Sequence, residues 1–211
     1  MNFLGDVYRD AVVRAAQAVD WSTADRVAQE LRALRDRGGR LFILGLGGSA
    51  GNAGHMTNDM RKLAGIEAYA PTDNVSELTA RINDDGWGAA FVGWLKVSRL
   101  GPQDAVFVLS VGGGDRERGV STELVSAMEY AVEVGAPVLG IVGRDGGFAA
   151  EVGTAVVIVP TVDPALVTPI AEAFQAVIWH GLVTHPEVAT ASAHWESLAG
   201  RASHTGAASA G

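Results

Sequence analysis

Four short apolar runs constrain the fold of this chain more than any other feature: Arg40-Leu41-Phe42-Ile43-Leu44, Ala105-Val106-Phe107-Val108-Leu109, Pro137-Val138-Leu139-Gly140-Ile141-Val142 and Ala155-Val156-Val157-Ile158-Val159. Within each, apolar residues run on without polar alternation, so each reads as a strand buried on both faces. Segments of helical spacing separate them. Buried strands alternating with helices predict an α/β fold, a parallel sheet covered on both sides. A weaker strand, Glu67-Ala68-Tyr69-Ala70, is expected before Pro71, whose ring cannot donate to a ladder.

Two helices precede the first strand. Leu4, Val7, Ala11, Val12, Ala15 and Ala18 mark one over 3–19, and Val27, Leu31 and Leu34 mark another over 23–36, ended by Gly38-Gly39. They form an N-terminal helical pair, residues 1–38, ahead of the main domain at 39–199; the Ala/Ser/Gly-rich tail, 200–211, is expected to be mobile. Further helices are expected at 75–82 and 88–99, separated by Asn83-Asp84-Asp85-Gly86, at 121–134 with Ser121 as N-cap, and at 166–184. No internal repeat is visible.

Of 211 residues, 48% are hydrophobic, enough for one sizeable core with a helical appendage. The absence of cysteine excludes disulfides and thiolate zinc sites and fits a reducing cytoplasm. The first residues show no secretory pattern, and no apolar run reaches the roughly 18 residues of a membrane span. A formal net charge of −8 argues against a general nucleic-acid surface, yet leaves room for one small anion in a local site.

Ligands of such sheets sit at the carboxyl ends of the strands, which selects the loops 45–54, 71–75, 110–121 and 143–148. The first runs Gly45-Leu46-Gly47-Gly48-Ser49 into a helix carrying Asn52, His55 and Asp59. Free backbone N–H groups at such a helix start, with the Ser49 hydroxyl, suit a phosphate; a tight turn would need the same glycines. The GxGxx run ends in Ala50, a permitted dinucleotide variant, but no acid closes a second strong strand about 20 residues on. His55 and Asp59, four residues apart, share a helix face. That spacing suits two ligands of one metal, an acid/base pair, or an ordinary surface contact.

In the third loop, Gly112, Gly113 and Gly114 offer amides for an anion nest, and Arg116 and Arg118 offer guanidinium groups between Ser110 and Ser121. A solvated surface loop has the same composition. Glu172, Gln175 and His180 lie on the otherwise apolar last helix, where polar groups need partners. Glu172 and His180 are separated by about 12 Å of helix, so they share a ligand only by leaning together or across subunits. His185, His194 and His204 read as surface residues.

Together these residues resemble the sugar isomerase (SIS) domain, and within it the phosphoheptose isomerases, over roughly residues 3–185. The matches are two leading helices, Gly47-Gly48-Ser49, then His55, Asp59 where the family has glutamate, Asn83-Asp84 before Gly86-Trp87, Gly143-Arg144-Asp145-Gly146-Gly147, and Glu172, where the family has glutamine, before His180. The family's Ser-Thr-Ser-Gly-Asn-Ser phosphate loop is replaced by a longer one that keeps Ser110 and Ser121 at its ends.

The resemblance implies a three-layer sandwich around a mostly parallel five-stranded sheet. It implies isomerisation of sedoheptulose 7-phosphate to D-glycero-D-manno-heptose 7-phosphate through an enediol(ate), with Asp59 and His180 as the acid/base pair and Glu172 available as a base. It implies zinc on His55, Asp59, Glu172 and His180, and substrate contacts from Gly48, Ser49, Asn52, Asp84, Ser110, Gly112, Gly113, Arg116, Arg118 and Ser121. A cytoplasmic homotetramer with sites between subunits is also implied, with no nucleic-acid or membrane partner. Non-catalytic SIS proteins, which sense sugar phosphates or bind a replication initiator, and isomerases of other sugar phosphates stay open as alternatives.

Overall fold

The computed structural model describes residues 2–194; the tail 200–211 and His204 lie outside them. A π-helical segment, Phe3–Tyr8, leads into α1 (Arg9–Ala18) and α2 (Trp21–Asp36). There follow β1 (Arg40–Gly45), α3 (Gly48–Lys62), β2 (Glu67–Tyr69), α4 (Val75–Asp85), α5 (Trp87–Val97), β3 (Ala105–Ser110) and α6 (Thr122–Glu133). The chain continues through β4 (Val138–Gly143), α7 (Gly147–Val152), β5 (Ala155–Val159) and α8 (Val167–Thr184).

The strands form one sheet in the order β2-β1-β3-β4-β5, and every adjacent pair is parallel. Ile43 lies opposite Phe107, and Ile141 opposite Val157. Because side chains alternate across a strand, Leu41, Ile43, Phe107, Leu109 and Ile141 enter a core with α1, α2, α3 and α8. Phe42, Leu44, Val106, Val108 and Val142 enter a second core with α5, α6 and α7. Two cores sharing one sheet explain why these strands run apolar without alternation. In α8, Ile170, Phe174, Ile178, Trp179 and Leu182 face the first core. By length and composition the helical stretch Pro164–Thr184 would suffice to cross a membrane, with mean hydropathy 1.3, but half of it is buried here in the protein.

At the amino end of the sheet, Arg40 and Asp104 tie β1 to the start of β3. Arg40 Nη2 donates to Asp104 Oδ2 at 2.8 Å, and Arg40 Nε and its backbone N–H both donate to Oδ1 at 3.0 Å. Burial pushes the Asp104 carboxyl up, but the bonds from Arg40 and from the Gly101 N–H outweigh it and hold the group below the usual carboxylate range. The same pairing raises the Arg40 guanidinium.

The expected elements are present, with local differences. Asn83-Asp84-Asp85 form the last turn of α4 instead of a break, which falls at Gly86 in a positive-φ conformation. Ser121 stands at the start of α6 in the left-handed region and its side chain makes no capping bond, contrary to the expected N-cap. The six-residue α7 had no expectation, being too short to show a helical period. From β1 the chain moves out to β2, then crosses back to β3 on the other side of β1. That reversal opens a crevice between the carboxyl ends of β1 and β3.

Candidate active site

A cleft of about 550 Å³ occupies this crevice. Leu46 and Ser49 line it from the β1–α3 turn, residues of the Ser110–Ser121 segment from beyond β3, and Arg144, Asp145, Gly147, Phe148 and Glu151 from beyond β4. Three of the four selected loops therefore meet there. The 71–75 loop contributes no lining residue.

The Ser110–Ser121 segment is built by its own hydrogen bonds. Ser110 Oγ accepts from the N–H groups of Gly112 at 3.3 Å and Gly113 at 3.0 Å, so these amides turn onto Ser110 instead of forming an open nest. The carbonyls of Gly113 and Gly114 accept from Ala149 and Phe148, joining the loop to the start of α7. Gly113 has φ +73°, and a Cβ there would strike the Gly146 carbonyl, so this crossing needs glycine. Asp115 and Val120 exchange backbone bonds of 3.0 Å and close the tip. Both arginines expected to meet an anion are paired. Arg116 Nη2 lies 2.6 Å from Glu129 Oε1, with its guanidinium over the Phe148 ring, and Arg118 Nε lies 3.6 Å from Asp115 Oδ2.

Beside the cleft, α3 and α8 pack in register: Gly48 meets Glu172, Ser49 and Asn52 meet Gln175, and His55 and Asp59 meet Trp179 and His180. Residue numbers rise together along both helices, so the two run in the same direction. The polar chain at its middle has a fixed sense. The Glu172 carbonyl can only accept, so Asn52 turns its Nδ2 to it, at 3.0 Å. The same Nδ2 donates to Gln175 Oε1 at 2.9 Å, which leaves Gln175 Nε2 to donate to Ser49 Oγ, also at 2.9 Å. Ser49 therefore accepts within the protein, and its own hydrogen stays available at the cleft wall. Gln175 is fully buried. The sequence marks it as a polar residue needing a partner but does not place it in the site; an uncharged amide on an apolar helix face was the available signal.

One to two turns further along, His55, Asp59 and His180 converge, one ligand atom from each lying within 4.8 Å of the others. Asp59 is buried, and its Oδ2 lies 3.6 Å from His55 Nε2 and 4.0 Å from His180 Nε2. Oδ1 accepts from Asn58 Nδ2. His180 Nδ1 lies 2.7 Å from the Ala176 carbonyl and must carry the hydrogen there. A neutral His180 then turns a bare Nε2 toward a carboxylate, an arrangement that calls for a proton or a cation between them. Tetrahedral zinc with ligand bonds of about 2.0–2.1 Å separates its ligand atoms by roughly 3.3 Å, so this donor set fits zinc after small side-chain shifts. A backbone carbonyl on the far nitrogen is the usual support of a ligating histidine. Trp179 forms the floor, stacked on His180 at 3.6 Å and edge-on to His55 at 4.7 Å.

Gly48, Asn52 and Gly113, expected to contact substrate, do not line the cleft, and Glu172 and Asp84 also stand elsewhere than expected. The Glu172 carboxylate is not among the three converging groups; it lies against Gly48, where a Cβ would sit 2.6 Å from its oxygens. Asp84 is exposed on the last turn of α4, accepts from Asn83 Nδ2, and does not line the cleft.

No family model matches the sequence. The phosphoheptose isomerase of Pelobacter propionicus is 31% identical over 146 residues, which cover 66% of this chain and 72% of that one. The probable phosphoheptose isomerase of Thermoplasma volcanium is 28% identical over 176 residues, 81% of this chain and 85% of that one. The lincomycin biosynthesis protein LmbN of Streptomyces lincolnensis is 29% identical over 155 residues, and the match spans about half, 54%, of its length. Phosphoheptose isomerase structures from Francisella tularensis and Neisseria gonorrhoeae superpose with TM-scores of 0.69 and 0.71. Each is 23% identical; they cover 82% and 83% of this chain and 89% and 93% of their own, and they establish the shared fold. With that sheet, the α3–α8 seam and the Pelobacter match in hand, the chain belongs to the phosphoheptose isomerase family.

Proposed function

We propose that the protein interconverts sedoheptulose 7-phosphate and D-glycero-D-manno-heptose 7-phosphate. The convergence of His55, Asp59 and His180 beside a cleft at the switch point carries this reading. In the ketose-to-aldose direction a base takes a proton from C1, an enediol(ate) forms, and the proton returns at C2 while the hydroxyl hydrogen passes from O1 to O2. Asp59 takes the role of the carbon base, and His180 that of the group exchanging the oxygen-bound proton. Both imidazoles are exposed, while the Asp59 carboxylate is shielded from solvent. His55, Asp59 and His180 would also hold zinc, which when bound polarises a carbonyl as a Lewis acid. Exposed Phe3, Leu4 and Trp21 near the amino terminus and Val177 on α8 support self-association, and sedimentation against the chain mass of 21.9 kDa tests the homotetramer that the resemblance implies.

The test is turnover of sedoheptulose 7-phosphate with and without zinc. Asp59→Ala and His180→Ala are each expected to lower kcat by about 10²–10⁴-fold, and to abolish the rise in Tm that zinc gives the parent. Sugar-phosphate binding without turnover would place the chain with the non-catalytic SIS proteins. Turnover indifferent to both substitutions would remove these residues from the mechanism.

A further inference from the structure

We propose that Arg144 is the cation that holds the substrate's phosphate, with Arg116 and Arg118 shaping the cleft around it. This rests on the sugar-phosphate reading above. Among the described residues, three arginines line the cleft. Arg116 lies 2.6 Å from Glu129 and the exposed Arg118 lies 3.6 Å from Asp115, whereas among the described residues Arg144 has neither an ion pair nor a hydrogen bond to its guanidinium. Four carboxylates, of Asp115, Glu117, Asp145 and Glu151, line the same space. The field of the cleft therefore does not itself draw in a dianion. An unpaired guanidinium does, through two parallel N–H···O bonds to one phosphate.

Two further observations favour Arg144. It follows β4 directly, at the carboxyl end of the sheet, and its backbone is left-handed with φ +58°. Glycine adopts that conformation freely and arginine rarely does. A long charged side chain at such a position, between Gly143 and Gly146, points to a demand for the side chain itself. Its Cδ also passes within 3.6 Å of the place where a Cβ on Gly112 would stand, so the side chain crosses the loop beside Ser110. Ser110 Oγ already accepts two amides and has its own hydrogen left for a phosphate oxygen.

Arg144→Gly removes the cation while suiting the backbone, so lost binding is not lost folding. Arg99→Gly is the matched control, since Arg99 is also left-handed, at φ +54°, and does not line the cleft. The expected result is that Arg144→Gly raises KM for sedoheptulose 7-phosphate about tenfold or more. It should weaken inorganic phosphate binding by calorimetry to the same extent, with kcat changed far less and Tm not lowered; Arg99→Gly should leave KM and phosphate affinity within about twofold. A parent that turns over substrate while Arg144→Gly keeps its KM, or Arg116→Ala raising KM more than Arg144→Gly, overturns the assignment. If the parent does not turn over, the isomerase reading fails and the phosphate titration decides. Binding lost in Arg144→Gly supports the assignment, and a parent that binds no phosphate overturns it.

Discussion

Gln175 shows how much one side chain can settle. Its amide receives Asn52 on one side and donates to Ser49 on the other, and the sense of both bonds is dictated by a backbone carbonyl at Glu172. Gln175→Glu keeps the size but cannot donate, so the Ser49 hydroxyl would turn its hydrogen inward. The expected outcome is a KM raised by about tenfold with a smaller change in kcat. Gln175→Leu should in addition cost about 1–3 kcal/mol of stability by orphaning Ser49 and Asn52. A steady-state KM and kcat split together with urea unfolding checks both. None of this chain of bonds was legible in the sequence, because its partners lie 120 or more positions apart. His55 and Asp59 were legible, since a one-turn spacing is a local property. The expectation that Glu172 joins them met the rise of the helix: eight residues of α8 separate it from His180, and it meets α3 at Gly48 instead. At position 59 the shorter acid still approaches both imidazoles.

Among the elements, β1 and β3 depend on the Arg40–Asp104 pair at the end of the sheet away from the cleft. The folded-state pKa of Asp104 lies below its unfolded value, near 3.8. Its contribution to stability is therefore present above about pH 4 and is lost as pH falls through the lower folded value. Asp104→Asn is expected to cost about 2 kcal/mol at neutral pH and to flatten the stability loss on acidification, measured as urea midpoints between pH 7 and pH 2.5. An undiminished acid slope in the variant would assign it to other carboxylates. Strand positions were readable to within a residue or so because burial on both faces leaves an uninterrupted apolar run. The end of α4 was not: Asn83-Asp84-Asp85 look like a turn, yet Gly86 is the residue whose positive φ breaks the helix. By composition the Ser110–Ser121 segment suits a nest with two available arginines. The Gly112 and Gly113 amides, both arginines and the tip meet partners inside the protein, and composition alone could not show that pairing.

For the whole molecule, the sheet is the wall between two cores, and neighbouring residues sample both. Ile43 faces α1, α2, α3 and α8, while Leu44 faces α5, α6 and α7. Ile43→Ala and Leu44→Ala are each expected to destabilise by about 2–5 kcal/mol, and both should lower the same single unfolding transition. Two separate transitions by calorimetry would mean that the cores unfold independently. The fold class was legible from the alternation of buried strands and helices, whereas the strand order rests on long-range pairing that the sequence does not display. The parallel seam of α3 and α8 has one more consequence. Ser49, at the cleft, and His55 and Asp59, where they converge with His180, hang from one helix, so the distance and angle between them are set by a count of residues, roughly 1.5 Å and 100° for each. One residue inserted between Ser49 and His55 would leave both ends chemically whole and turn them out of phase. The helix is a length gauge, and what it measures is the molecule that must reach from one end to the other.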